Sequence, residues 1–414
     1  MPILQSYLAR TRGSAEMGAR AELVMPAGET RASGYHPPYP LTLTRGEGSR
    51  VWDIDGNEYI DLNYNYTSLV HGHAYEPIVD AAAKVVREGT AWPARNPHQV
   101  ELAELLVERV ASVDLVRFCN SGSEAAMLAL LVARTATGRR KVLMARNGYH
   151  GSHEAFLHGA GGAPGDWPDT LVAPFGDAAA FESILANEGD QIAAVFLEPA
   201  QGGIVTAPAE FFQHVLAAAR TAGSVFVLDE VITFRQSTGG MQKTLGITPD
   251  ITMFGKIIGG GFPVGAIGGR RDLMEHLGPR RGIINHSGTF NGNPLTAAAG
   301  VVSVRELTAE RIAIMAGQAE ELADRLAASA ERRRLPLTIL REGSLLGLSF
   351  STGERAPRGG PNPMAANLHL AGLNHGLFFS SRGLLVLSTI LNDRDIDEIA
   401  GRFDAALQDV ADEA

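Results

Sequence analysis

The stretch ITMFGKIIGGGFPVGAIGG, residues 251–269, governs how the rest of the chain is read. An apolar run of strand length is followed at once by Lys256, and no further charge comes until Arg270. Glycine recurs at 255, 259 to 261, 265, 268 and 269, where it lets backbone turn tightly or approach a ligand. Lysine seldom sits in such surroundings unless it is paired or functional. Desolvation lowers its pKa and frees the neutral amine as a nucleophile for a carbonyl. The alternative is a lysine that snorkels or forms a salt bridge. Lys84, Lys141, Lys243 and Lys256 are the only lysines among 36 basic residues, which singles this one out. The segment is no phosphate loop: Lys256 is followed by Ile257, not Ser or Thr, and no glycine stands five residues before Gly255.

Similar apolar runs flank this one. Leu115 to Phe118, Lys141 to Ala145, Ala193 to Leu197, Val225 to Leu228, Ile251 to Phe254 and Val264 to Ile267 read as strands. Between them, Glu101 to Val110, Glu124 to Arg134 and Ala209 to Thr221 read as helices. Strands apolar on both faces and separated by helices predict an α/β fold with a largely parallel, covered sheet. From about Arg305 a long charged amphipathic stretch leads into short strands (SLLGLSF, GLFFS, RGLLVLS) and a closing helix from about Asp395, an α+β pattern. The insert RAPRGGPNP (355–363) reads as a loop. The first fifty residues are mixed and punctuated by proline, as in HPPYPL (36–41), and read as a segment draped over a core. The expected division is therefore an N-terminal segment, 1–50, packing on the small domain, a large domain, 51–304, and a small C-terminal domain, 305–414.

Two further motifs stand at expected strand ends. In FCNSGSEAAMLALLVAR (118–134) a small-residue turn, Ser121-Gly122-Ser123, opens a helix. Backbone N–H groups there form an anion site, although a plain N-cap by Ser121 or Ser123 would look the same. In SVFVLDEV (224–231), Asp229 ends an apolar strand, where open α/β sheets place ligands. A structural salt bridge would also satisfy that carboxylate. An anion-binding turn, a strand-end acid and a desolvated lysine together make up the protein side of a pyridoxal phosphate site.

Here the chain resembles a known family. Through NSGSEA (120–125), GYHGS (148–152), LEP (197–199), LDEVIT (228–233), PDITMFGKIIGGGFPVGAIGGR (249–270) and HSGTFNGNP (286–294), it is similar to the class III, fold-type I pyridoxal-phosphate aminotransferases. The likeness runs from about Pro26 to Asp397. It is strongest to the branch that holds glutamate-1-semialdehyde aminomutase and the β-amino-acid transaminases. The resemblance implies a mainly parallel seven-stranded sheet and the cofactor pyridoxal 5'-phosphate. It implies that Lys256 holds the cofactor covalently and shuttles the proton, and that Asp229 keeps the ring nitrogen protonated. Tyr149 and Val231 would cover opposite ring faces, with His150 and Glu198 in support. Ser121, Gly122 and Ser123 would bind the phosphate. Thr289 would complete that site from the neighbouring subunit of a homodimer with shared active sites.

Two departures bear on the substrate. The chain reads DEVITFRQ (229–236), without the glycine many members carry before Phe-Arg, as in the β-amino-acid transaminase branch. Where aminomutases carry an acid in a Pro-Ser-aromatic-Glu segment, this chain has FFSSRGLLVLS (378–388), with Arg382. Arg31, in MPAGETR (25–31), and Arg382 are therefore candidates to bind a substrate carboxylate, since the planar guanidinium binds carboxylate bidentately. Tyr64, Tyr66 and Trp92 could line an apolar pocket or serve as core. The reaction expected is transfer of an amino group from a β-amino acid, aromatic ones included, to an oxo acid such as 2-oxoglutarate or pyruvate. The alternative is an aminomutase of the glutamate-1-semialdehyde type; a remoter one is a non-catalytic pyridoxal-phosphate-binding protein, for which no stretch is left over as a DNA-binding module.

Composition agrees with a globular enzyme: 414 residues, 45% hydrophobic and 20% charged. A net charge of −10 argues against nucleic acid as a partner. A single cysteine, Cys119, excludes an internal disulfide framework, and with no signal-like N-terminus the expectation is a cytoplasmic protein. Ser287 to Val304 is uncharged but holds Asn291, Asn293 and Pro294, so it reads as a loop entering a buried helix rather than a membrane span. In HGSHEAFLH, His153 and His158 stand five apart, which turns them from one another on a helix and argues against a zinc pair. His71 and His73 read as structural, and no Gly-x-Ser-x-Gly elbow is present.

Overall fold

A computed structural model describes residues 2–157, 167–280, 283–350 and 362–413. The chain separates into two compact units, residues 76–312 and residues 1–75 with 313–414.

The first unit is built on seven strands: β1 Leu115–Cys119, β2 Lys141–Ala145, β3 Thr170–Ala173, β4 Ile192–Leu197, β5 Val225–Asp229, β6 Ile251–Gly255 and β7 Gly265–Gly269. They lie in the order β1-β7-β6-β5-β4-β2-β3, all parallel except β7, which runs antiparallel to both β6 and β1. β4, β5 and β6 are buried at every residue, as sequences that are apolar but for Thr252 and the terminal Asp229 require. Alternate residues serve opposite faces. Val142, Met144, Val225 and Val227 pack with helix α1, Gly122–Thr137, while Leu143, Ala145, Phe226 and Leu228 pack with helix α2, Ala209–Ala222. Both faces are thereby covered. Six of these strands are those read from the sequence. The seventh, β3, is a four-residue edge strand next to Trp167-Pro168-Asp169, too short to stand out from its surroundings.

β7 corrects the reading of its glycines. A Cβ on Gly265 would lie 2.0 Å from the Ser121 carbonyl oxygen, and one on Gly269 would lie 2.5 Å from that of Asp250. These glycines make room for the chain's own backbone, not for a ligand.

The second unit has a four-stranded sheet of Leu43–Glu47, Arg50–Asp53, Glu58–Asp61 and Leu377–Phe378, the last pairing parallel to the third. A three-stranded antiparallel sheet joins Thr338–Glu342, Leu345–Ser349 and Leu384–Val386. Its core takes Ile3, Tyr7, Ile60, Leu62, Leu373, Phe403 and Leu407. Residues 51–75 therefore fall in this unit, and not with 76–304, because Ile60 pairs with Leu377 and joins this core. The N-terminal segment holds two helices, Ile3–Arg10 and Arg12–Glu22, where the sequence showed only an irregular stretch. Ile3 and Tyr7, one turn apart, anchor the first. The insert 355–363 lies outside the described residues except for Asn362, which caps helix Pro363–Asn374, and Pro363 itself.

Candidate active site

Because β1, β2, β4, β5 and β6 run parallel, their carboxyl ends share one edge of the sheet. That edge carries the Ser121 turn after β1, Tyr149 and His150 after β2, Glu198 after β4, Asp229 at the end of β5, and Lys256 after β6. Open α/β sheets bind ligands at this edge.

Asp229 is buried and fixed from two sides: Oδ1 accepts from the Val231 N–H at 3.1 Å, and Oδ2 lies 2.8 Å from His150 Nδ1. His150 is itself buried between Phe156 and Phe196, and its Nε2 has no hydrogen-bond partner. A buried carboxylate is tolerated only with such partners. Glu198 is buried as well, and its two oxygens accept from the N–H groups of Tyr149 at 2.9 Å and Gly202 at 3.1 Å. Burial raises its pKa, and the Asp229 charge adds to the rise, while nearby His150 and the two backbone donors act against it. Tyr149 keeps 45% of its surface exposed.

Lys256 opens the short turn Lys256–Gly259 with a left-handed backbone, φ 49°. An L side chain pays about 1–2 kcal/mol for that conformation, and such strain gathers at functional positions. Desolvation lowers its pKa, and the Asp229 and Glu198 carboxylates offset part of the fall. The turn is seated on helix α3, Pro294–Glu306: Ser303 Oγ donates to the Ile257 carbonyl at 2.7 Å, and a Cβ on Gly300 would lie 2.0 Å from the Ile258 carbonyl oxygen.

At the start of α1, Ser121 is the N-cap, its Oγ accepting from the Glu124 N–H at 3.1 Å. The cap uses the oxygen as an acceptor and leaves the hydroxyl proton to donate. Ser123 Oγ accepts from the Ser152 N–H at 3.1 Å, which ties this turn to the Tyr149 loop. The Val231 methyls lie 3.4 Å from where a Gly122 Cβ would stand and 3.2 Å from that of Gly255, so Val231 bridges the turn and the end of β6. Thr289 is exposed, in a segment held to this turn by Asn120 Nδ2 donating to Asn291 Oδ1 at 2.9 Å. Among the described residues no cluster of His, Cys, Asp and Glu could hold a metal ion, and His158 lies outside them.

Arg31 and Arg382 belong to the unit of 1–75 with 313–414. Both are exposed. Arg31 Nη1 donates to Asn65 Oδ1 at 2.7 Å, and its guanidinium carbon lies 5.8 Å from the Tyr66 ring centroid. Asn65 and Tyr66 sit in a left-handed turn of four consecutive non-glycine residues, Tyr64 to Thr67, with φ between 45° and 78°. Nothing in the sequence signals that turn, and neither Asn65 nor the Asp61 beneath it was singled out there. Tyr64 is wholly buried and serves as core, whereas Tyr66 is half-buried beside Arg31. His71 and His73 are structural in their bonding, to Thr389 Oγ1 at 2.7 Å and to Asp61 Oδ2 at 2.6 Å.

The edge of the sheet offers an amine of lowered basicity, a carboxylate held from two sides, and free N–H groups at the start of a 16-residue helix. This donor set fits a phosphate-bearing pyridine aldehyde: an amine for the aldehyde, an acid for the ring nitrogen, a helix N-terminus for the phosphate. The family model for class III aminotransferases matches residues 31–407. The chain belongs to the class III aminotransferases. It is a pyridoxal-phosphate-dependent class III transaminase of fold type I. The β-phenylalanine transaminase of Variovorax paradoxus is 38% identical over 90% of this chain and 87% of its own. Glutamate-1-semialdehyde 2,1-aminomutase 2 of Bacillus licheniformis is 37% identical over 80% of this chain and 81% of its own. Among solved structures, an omega-transaminase from Sphaerobacter thermophilus superposes with a TM-score of 0.91 at 34% identity, covering 96% of this chain and 97% of that one.

Proposed function

We propose that this aminotransferase moves the amino group of a β-amino acid, aromatic side chains included, to an oxo acid such as 2-oxoglutarate or pyruvate. The observation that carries the reading is the 38% identity to a β-phenylalanine transaminase across 90% of the chain. An arginine at 382, where aminomutases carry an acid, supports it. The donor reaches the enzyme as an ammonium carboxylate, and the Arg31 and Arg382 guanidinium groups would bind that carboxylate.

When bound, pyridoxal phosphate supplies an electron sink for the carbon that loses the amino group. The rest falls to the chain. Lys256 would hold the cofactor covalently and, once released as a free amine of lowered basicity, would carry the proton from the substrate carbon to the cofactor carbon that the lysine had occupied. Asp229, oriented by His150 and the Val231 N–H, holds a proton on the ring nitrogen. The Ser121–Ser123 turn grips the phosphate, Tyr149 and Val231 cover the ring, and Glu198 fixes the Tyr149 backbone. Thr289 completes the phosphate site of the partner in a homodimer with shared active sites. Among the described residues no helix is long and apolar enough to cross a membrane. The single cysteine supports a cytoplasmic enzyme.

The test is the visible spectrum of the purified holoenzyme, before and after separate additions of β-phenylalanine, alanine and glutamate. A yellow band bleached by the β-amino acid is the expected result. A band that no donor bleaches turns the reading to the aminomutase, which the 37% identity to such an enzyme favours as the second possibility.

A further inference from the structure

The left-handed turn beside Arg31 is built with more side-chain support than a surface connection needs. Asp61 Oδ1 accepts from the N–H groups of Asn63 at 2.7 Å and Tyr64 at 2.9 Å, and Asn63 Oδ1 accepts from the Tyr66 N–H at 2.5 Å. Asp61 Oδ2 is held in turn by His73 Nε2 at 2.6 Å. Within the turn, Asn65 Nδ2 donates to Ser68 Oγ at 3.1 Å and Ser68 Oγ donates to the Asn65 carbonyl at 3.0 Å. The amide orientation is therefore set, and its oxygen is left to face Arg31. Asn65 takes one N–H of the guanidinium, and the Tyr66 ring lies beside the same group. A guanidinium has five N–H donors in one plane. The bond to Asn65 and the neighbouring Tyr66 ring together restrain the group, and Asn65 uses only one of its donors.

We propose that Asn65 is a positioning residue: from its strained turn it locks the Arg31 fork in the orientation that receives a substrate carboxylate. The proposal rests on the reading of Arg31 as a carboxylate-binding residue. The left-handed backbone is what brings the amide to Arg31. Asparagine is among the few side chains that tolerate this conformation, which suits it to the position.

The experiment uses the holoenzyme and three variants, Arg31→Ala, Asn65→Gly and Asn65→Asp, with a β-amino acid donor and with a donor amine that has no carboxylate. Glycine adopts φ 49° without strain, so Asn65→Gly removes the acceptor and leaves the fold intact. The expected result is a rise of about three- to tenfold in KM for the β-amino acid in Asn65→Gly, with kcat for the carboxylate-free amine unchanged and the melting temperature not lowered. Asn65→Asp keeps the acceptor and the backbone preference but pairs the guanidinium with a charge, so its KM for the β-amino acid rises at least as far. An Asn65→Gly enzyme with unaltered KM, alongside an Arg31→Ala enzyme whose KM rises, overturns the positioning role and leaves the Arg31 reading standing. An Arg31→Ala enzyme with unaltered KM overturns both.

Discussion

Replacing Lys256 by glycine should stabilise the cofactor-free protein while abolishing turnover. Lys256 carries two separate costs. Its backbone stands at φ 49°, a conformation that costs an L residue about 1–2 kcal/mol and glycine almost nothing. Its amine is held where desolvation lowers the pKa, and the carboxylates of Asp229 and Glu198 recover only part of that loss. Lys256→Ala removes the second cost and keeps the first; Lys256→Gly removes both. The difference between the two variants, about 1 kcal/mol, corresponds to about 2–4 °C in melting temperature for a unit of this length. The buried amine also leaves a signature in pH. The unfolded chain binds its proton more tightly than the folded one. Wild-type stability therefore rises with pH from the lowered folded pKa up to the ordinary lysine value of 10.5, and neither variant shows that rise. Calorimetry of the three cofactor-stripped proteins, from neutral to alkaline pH, reads both effects. At neutral pH the expected order is glycine, then alanine, then wild type, with wild type gaining on both variants as the pH climbs. A glycine variant no more stable than the alanine variant refutes the strain argument. A pH slope that survives in both variants refutes the burial argument.

Three further outcomes follow from the same geometry. His150→Ala strips one of the two partners from the buried Asp229 carboxylate, so unfolding of the apoprotein should become easier by about 3–5 kcal/mol, with weaker cofactor retention on a desalting column. Glu198→Gln presents one oxygen and one amide group to two backbone donors that both need an acceptor; the mismatch should cost about 1–3 kcal/mol, read by urea unfolding, and should slow turnover by loosening Tyr149. Gly265→Ala places a methyl 2.0 Å from the Ser121 carbonyl oxygen, where only backbone could yield, so destabilisation beyond about 3 kcal/mol and loss of soluble protein on expression are expected.

Much of this was legible in the chain because the information was local. β5 is apolar up to its last residue, Asp229, and β6, apolar but for Thr252, leads directly into Lys256, so strand, end and functional side chain can be read together. The cap at Ser121 is equally local, with its helix following at once. What the sequence hid depends on distant partners. The His150–Asp229 contact joins the loop after β2 to the end of β5, two strands that are not neighbours in the sheet. The assignment of residues 51–75 depends on Ile60 meeting Leu377. β7 was legible as a strand, but its antiparallel course and the crowding that demands glycine depend on Ser121 and Asp250. The turn at Tyr64 to Thr67 was hidden for another reason: its residues have no glycine to announce a left-handed backbone, and Asp61 and Asn63 hold it there instead.

The seating of the lysine turn on helix α3 has a consequence for how such an enzyme can be altered. Ser303 grips the Ile257 carbonyl, and Gly300 and Gly260 bring helix and turn into contact through bare backbone. Almost any side chain added along that seam would push Lys256 out of place, so the segment 256–269 can absorb very little change. A library that seeks new donors should leave it untouched and draw its diversity from exposed positions such as Thr30, Arg31, Ala32 and Arg382, not from their buried neighbours Tyr64, Phe379 and Leu385.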